Sequence, residues 1–330
     1  MTLGILAVNA ILNNKRNGDD YIPFHIRFQA WWEGEEPNAL LIRKYGTAPE
    51  NPLAIQVDDE AGDDETGLVW PKGRINFCRR LWELDEKDEV VHPGGADYTS
   101  WLMKPMNLNH EMSSIDLSAG LGGGTRKTAK SLSTYIDGYE IDPELAALAQ
   151  ELSVKHGMER RAPVSVYNPD ELDLPARRFS GVLCRERAYR FRRKDLFLKT
   201  AFNSLRPRGH FILTDYVVVN PSDADHPTIR AWMSREPGEF DLWTAEEYRK
   251  YMVNLGMDMR ITEDETDEYR AMLLQAWSRF VAGLSKQDLT RDFINDMMRE
   301  AEYWLMLIRA LESGKLRYYR YHAIRGIESA

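Results

Sequence analysis

The run from Asp116 to Arg126, DLSAGLGGGTR, sets an acid and a glycine-rich turn between an apolar lead-in around Ile115 and a helix-patterned segment. Further along, Gly138-Tyr139-Glu140-Ile141-Asp142-Pro143 repeats the logic of a strand that ends in acid before a helix. Strand, glycine-rich turn, helix and a second strand ending in a carboxylate make the front half of a nucleotide-type site. Glycines let the turn bend sharply and let a ligand approach the backbone. A carboxylate at the second strand end can accept hydrogen bonds from both hydroxyls of a ribose. These residues predict a site for an adenosine-containing cofactor.

Such a site needs a scaffold of strands and helices, and the pattern becomes regular from Ser113 onward. Strands are predicted at about 113–118, 134–141, 163–167, 179–184 and 209–219, with helices at about 123–132, 143–156 and 194–205. This alternation implies a parallel sheet covered on both faces. A helix at 244–255, a strand at 257–263, two helices at 267–283 and 288–312, and an aromatic strand from Leu316 to Ile324 complete the reading. Residues 1–90 do not alternate in this way. They hold a strand pattern from Phe24 to Trp32, an acidic loop from Asp58 to Gly67 and a helical pattern from Arg74 to Leu84. The expected domains are an N-terminal extension or cap (1–90), a cofactor-binding α/β domain (91–265), a helical insertion (266–313) and a final strand with a tail (314–330).

The chain has 330 residues and a formal net charge of −9. That balance argues against a general nucleic-acid surface, which needs a basic face to neutralise phosphates. Cys78 and Cys184 stand far apart in different patterns, as in a reduced, cytoplasmic chain. The seven histidines include no pair at metal-ligand spacing, so no metal site is expected. The apolar run Gly4–Leu12 lacks signal-peptide features and is too short to span a bilayer. It reads as a docking helix or packed strand, and a membrane partner is not expected.

Two cofactor readings compete at the turn. A dinucleotide fingerprint would want glycine at 118, where Ser118 stands. The other reading uses Asp116, Gly120, Gly122 and Gly123, then Glu140, then Leu205-Arg206-Pro207-Arg208-Gly209-His210 leading into Phe211-Ile212-Leu213-Thr214-Asp215-Tyr216. These segments, in this order, resemble the class I S-adenosylmethionine (SAM)-dependent methyltransferases. The resemblance covers about residues 92–265 and the final strand. It implies an α/β fold with a Rossmann-like seven-stranded sheet, six strands parallel and the last antiparallel at one edge. It also implies SAM as cofactor. Asp116 would hold the positive end of SAM, with Ser118 beside it in the turn. Gly120 and Gly122 would admit the methionine portion. Glu140 would bind the ribose, with Asp142 beside it, and Asn168 would lie near the adenine. Cys184 and Arg185 would flank the transferring methyl. Ser118, Pro169 and Arg208 depart from the family pattern.

Within that superfamily, Pro93-Gly94-Gly95 with Tyr98, the run Cys184 to Arg190 and Thr214-Asp215-Tyr216 resemble the phosphoethanolamine-type and sarcosine/glycine-type small-molecule methyltransferases. The resemblance implies methyl transfer to N or O of a small molecule, with Tyr98, Arg190 and Tyr216 as the catalytic set. Arg190 stands where the phosphoethanolamine enzymes carry a histidine, and arginine is no base at ordinary pH. His92 and His210 are further candidates for proton transfer, each with a structural reading beside it. An anionic or polar handle on the acceptor is expected near Arg185 and Arg190. Arg192, Arg193 and Lys194 read as a solvated helix start. The nine tryptophans serve either an aromatic pocket or packing. A lipid-headgroup methyltransferase and a catalytically silent binding or scaffold protein stay open as alternatives, as does a homo-oligomer built on residues 1–90 and the helices at 267–312.

Overall fold

The computed structural model describes residues 37–45, 72–84, 87–235, 240–285, 288 and 290–326. The strand expected at Phe24–Trp32, the run Gly4–Leu12 and the loop Asp58–Gly67 lie outside them. Two compact units emerge. One takes helix α1 (Pro37–Tyr45) and residues 277–305; the other takes the described residues of 66–276 and 306–330.

The second unit is built on a seven-stranded sheet: β1 (Ser113–Asp116), β2 (Tyr135–Glu140), β3 (Val164–Val166), β4 (Phe179–Arg185), β5 (Leu205–Val218), β6 (Met257–Asp264) and β7 (Leu316–Arg325), in the order β3-β2-β1-β4-β5-β7-β6. Strands β1 to β5 pair in parallel and β7 runs antiparallel to both β5 and β6. Every residue of β4 is buried, the mark of a strand covered on both faces. The seven-stranded α/β sheet is the expected one, with one correction. β7 does not lie at the edge; it enters between β5 and β6. Four of its ten residues are tyrosine or histidine rings, and none is exposed, whereas β6, MDMRITED, exposes charged side chains. A polar strand suits an edge and an aromatic one does not.

The further helices, in chain order, are α2 (Lys72–Trp82), α3 (Gly95–Met103), α4 (Gly123–Ser131), α5 (Pro143–Lys155), α6 (Lys194–Ser204), α7 (Pro227–Met233), α8 (Ala245–Asn254), α9 (Thr266–Ala282) and α10 (Arg291–Glu312). Local chemistry starts several of them. Asp142 caps α5 through the Leu145 amide with Pro143 in the first turn, and Thr244 with Glu247 forms a capping box on α8. Helices α1, α3 and α7 lie in segments where no helix is expected from the sequence. Strand β5 begins at Leu205, ahead of the expected start at about 209; a register shift follows Phe179, and Arg208 takes a left-handed φ of 64°.

Behind the sheet, β5 buries a carboxyl. Asp215 accepts a hydrogen bond from Tyr248 Oη, and Lys194 Nζ lies over the rings of Trp243 and Tyr248. Burial, opposed by Lys194 and the Tyr248 bond, pushes the Asp215 carboxyl up to about 7. A folded-state pKa above the unfolded value of 3.8 means the native state binds more protons in that window. The contribution is complete below about pH 4 and is lost as pH rises through about 7. We therefore expect the stability advantage of wild type over Asp215→Asn to fall by about 2–3 kcal/mol between pH 5 and pH 7, at 1.36 kcal/mol per pH unit. Urea denaturation of both proteins at several pH values checks this, and a pH-independent difference would contradict it.

Candidate functional site

The glycine-rich turn joins β1 to α4 at the end of the sheet where the parallel strands finish. Gly120 and Gly122 take left-handed φ of 55° and 76°, and Gly122 is the N-cap of α4. The next position has no room for a side chain: a Cβ on Gly123 would stand 1.7 Å from the Asp88 carbonyl oxygen. Residues 88–95 thus lie directly over the turn. His92 lies against Gly120, where a Cβ would meet its Nε2 at 2.8 Å. Desolvation, then Arg187 and Arg185, hold the His92 pKa well below its usual value, so its ring is neutral near pH 7.

Asp116 is buried at the end of β1. Its Oδ1 accepts from Ser118 N and Oγ at 3.0 and 2.9 Å, and its Oδ2 accepts from Thr125 Oγ1 at 2.8 Å. Burial raises its pKa, and these bonds and Arg185 act the other way. Ser118 Oγ also accepts from the Arg185 amide at 2.9 Å. The residue that replaces the usual glycine thereby ties β1 to the end of β4.

Glu140 is 0% exposed at the end of β2. Its carboxylate accepts from the amides of Gly120 (2.9 Å), Ile141 (2.9 Å) and Asp142 (3.2 Å), and from Arg187 Nη2 at 3.0 and 2.9 Å. Asp142 and Asn168 spend side-chain oxygens on caps, to the amides of Leu145 and Asp170. The Cys184 side chain lies in the apolar core, where burial pushes its thiol pKa up. What Cys184 offers the edge of the sheet is backbone.

Beyond β4, three consecutive charged residues part company. Arg185 donates to Thr99 Oγ1 and the Pro93 carbonyl at 2.9 Å each and lies 4.8 Å from the centre of the Tyr98 ring. Burial opposes its charge, but Glu186 and the tyrosines outweigh that and its pKa is raised. Glu186, at a left-handed φ of 51°, accepts from Tyr269 Oη at 2.9 Å and Tyr318 Oη at 3.0 Å. Tyr269 and Tyr318 stack at 3.9 Å, Tyr216 Oη reaches Tyr269 Oη at 2.6 Å, and Tyr98 Oη lies 3.5 Å from Tyr318 Oη. Burial first, and Glu186 second, hold the Tyr269 and Tyr318 hydroxyl pKa values well above the ordinary value; burial pushes Tyr98 up to about 12. All three are neutral donors near pH 7.

The structure therefore gathers Asp116, Ser118, Gly120, Gly122, Glu140 and the Arg185 backbone around the turn. Tyr98, Arg185 and Tyr216 gather around Glu186. Arg190 stands half-buried at the end of the short turn Ala188–Arg190. Glu186, Tyr269 and Tyr318 join these groups without having been singled out in the sequence, and Arg187, legible there only as part of a basic cluster, is paired with Glu140. The one available signal was the acid between two arginines in CRERAYR.

A family model described as "Methyltransferase domain" matches residues 98–260. The chain is 24% identical over 209 residues to phosphoethanolamine N-methyltransferase 1 of Zea mays, covering 63% of this chain and 40% of that protein. It is 18% identical over 199 residues to the phosphoethanolamine N-methyltransferase of Plasmodium falciparum, covering 59% and 71%. The chain spans about two-fifths of the length of the plant relatives it matches. Among solved structures it resembles Haemonchus contortus phosphoethanolamine N-methyltransferase 2 in complex with S-adenosyl-L-methionine, with a TM-score of 0.64, 18% identity and coverage of 77% of this chain and 57% of that one. It also resembles a putative sarcosine dimethylglycine methyltransferase from Galdieria sulphuraria, with a TM-score of 0.60, 16% identity and coverage of 77% and 98%.

Removing the Ser118 hydroxyl should leave the buried Arg185 amide without its acceptor and take one donor from Asp116. Ser118→Ala is expected to lower stability by about 1–3 kcal/mol, the cost of an unsatisfied buried donor. Chemical denaturation measures it, and a loss under about 0.5 kcal/mol would mean that the link between β1 and β4 carries no weight.

Proposed function

We propose that this chain, which carries a methyltransferase-domain match and the class I methyltransferase fold, transfers a methyl group from SAM to the nitrogen of a small amine. The observation that carries the proposal is a second carboxylate beyond the cofactor turn: Glu186 accepts from Tyr269 and Tyr318, whose hydroxyls continue to Tyr216 and Tyr98, and its nearest cation, Arg185, stands 3.7 Å away. An anion held in place by neutral hydroxyls attracts an ammonium group by charge and by a charge-assisted hydrogen bond. The names of the relatives, N-methyltransferases of phosphoethanolamine, support nitrogen over oxygen. The anionic handle expected at Arg185 finds less support, because that guanidinium is committed to Thr99, Pro93 and the Tyr98 ring.

The turn suits the cofactor. Gly120 and Gly122 adopt backbone that a side chain would strain, and Asp116 sets a negative charge at the end of β1. When bound, SAM supplies a methyl on a cationic sulfur that leaves as a neutral thioether. The chain aligns the acceptor nitrogen with that carbon and excludes water, which contributes through orientation. Tyr98, Tyr269 and Tyr318, with hydroxyl pKa values raised, act as donors and not as bases. They orient Glu186, which attracts the acceptor's positive charge. The acceptor nitrogen gives one proton to solvent water before its lone pair forms the N–C bond as the S–C bond breaks, so each methyl gained releases one proton.

Glu186→Gln should lower kcat/KM for the amine acceptor by about 10- to 100-fold, the worth of a hydrogen bond to a charged group. SAM affinity should stay within about twofold. The assay is mass gain of one methyl across a panel of amines, alcohols and carboxylates, with SAM binding followed by calorimetry. Acceptors found only among the alcohols or carboxylates, or an unchanged kcat/KM in Glu186→Gln, would defeat the amine reading.

A further inference from the structure

We infer that Arg187 is an internal competitor for Glu140: its guanidinium and the ribose diol of the adenosine cofactor claim the same carboxylate oxygens, so the cofactor binds only as the guanidinium leaves. The inference rests on the proposal that this turn is the SAM site. It begins with capacity. Oε1 accepts from Ile141 N, Asp142 N and Arg187 Nη2, and Oε2 from Gly120 N and Arg187 Nη2. An ionised carboxylate offers about four acceptor sites. The arrangement already fills them, and two ribose hydroxyls cannot be added.

Only one of these donors can give way. The amides of Gly120, Ile141 and Asp142 belong to the turn and to the start of α5, and they stay as long as the fold does. Arg187 sits on a short turn just after Glu186, whose left-handed backbone aims the arginine back across the end of β1 towards β2. Its hold on Glu140 is a single nitrogen straddling two oxygens, not the parallel fork that makes arginine–carboxylate pairs strongest. The same Nη2 lies 3.4 Å from His92 Nε2, so the competitor reaches the ring that lies against Gly120.

The chemistry gives the pair a purpose. A carboxylate at 0% exposure is costly unless it is compensated. The arginine supplies that compensation whenever no diol does. The cationic sulfonium of SAM gains from its departure, because two positive charges no longer share one end of the sheet. The apparent dissociation constant is then the intrinsic one divided by the fraction of molecules whose Glu140 is released.

The test is calorimetric titration of SAM into wild type, Arg187→Met and Arg187→Gln. Gln keeps a neutral donor towards Glu140, which protects the fold should Met not be tolerated, and circular dichroism confirms folding. Arg187→Met should bind SAM at least about tenfold more tightly than wild type, the gain expected if about one molecule in ten has Glu140 released, and Arg187→Gln more than about twofold more tightly. Affinities within twofold of wild type would overturn the inference and leave the site assignment standing. Weaker binding would also overturn it, making Arg187 a ligand of the cofactor. Absence of SAM binding in all three folded proteins would sink the site assignment, and the competition with it.

Discussion

The buried carboxylate of Glu140 constrains everything around it. An anion removed from water demands donors, and the chain supplies them from three elements: the glycine-rich turn, the start of α5 and the turn after β4. Each donor fixes a piece of geometry. The Gly120 amide points inward only because position 120 tolerates a left-handed φ. The Ile141 and Asp142 amides point back only because the chain turns sharply into a helix that Asp142 itself caps. The Arg187 guanidinium arrives because the chain leaves β4 through a left-handed residue. A single desolvated charge thus accounts for the shape of the turn, the entry to α5 and the path after β4.

The second carboxylate is handled differently. Glu186 faces hydroxyls instead of amides and guanidinium, and those hydroxyls come from α9 and β7, remote in sequence. Tyrosine is a weaker partner than arginine, so it leaves more of the negative potential available to a ligand. Arg185 stands 3.7 Å away and directs Nη1 and Nη2 hydrogen bonds to Thr99 and Pro93. The two carboxylates therefore differ in kind: one is neutralised inside the fold, and the other is held in place with its charge still felt.

How much of this was legible follows from the range of the interactions. Strands β1 to β5 and helices α4, α5 and α6 appear at the expected places because alternation and capping are local signals. Asp116, Gly120 and Glu140 are legible for the same reason, each lying at a strand end. Helix α3 is not, since Gly94-Gly95 punctuates the chain like a loop; only the structure shows Thr99 and residues 88–95 lying over the turn. Tyr269 and Tyr318 are invisible as site residues, because periodicity assigns them to a helix face and a sheet face without saying what lies opposite. The placement of β7 fails in the same way: strand order is a long-range property, and an aromatic strand burying both faces belongs inside a sheet.

The arginine cluster is the instructive case. Read along the chain, Arg185, Arg187 and Arg190 form a basic island in a protein of net charge −9, which suggests a seat for an anion. In three dimensions the nearest acids are not beside them in the sequence alone: Glu140 arrives from β2, forty-seven positions before Arg187. A charge already matched at 2.9 Å by a buried carboxylate projects little field to a ligand. Counting charges by segment thus overstates what they can bind, and the sign of a site follows from its unmatched charge. At the end of β4 the least closely matched charge is that of Glu186, whose hydrogen bonds come from neutral hydroxyls and whose nearest cation, Arg185, stands 3.7 Å away.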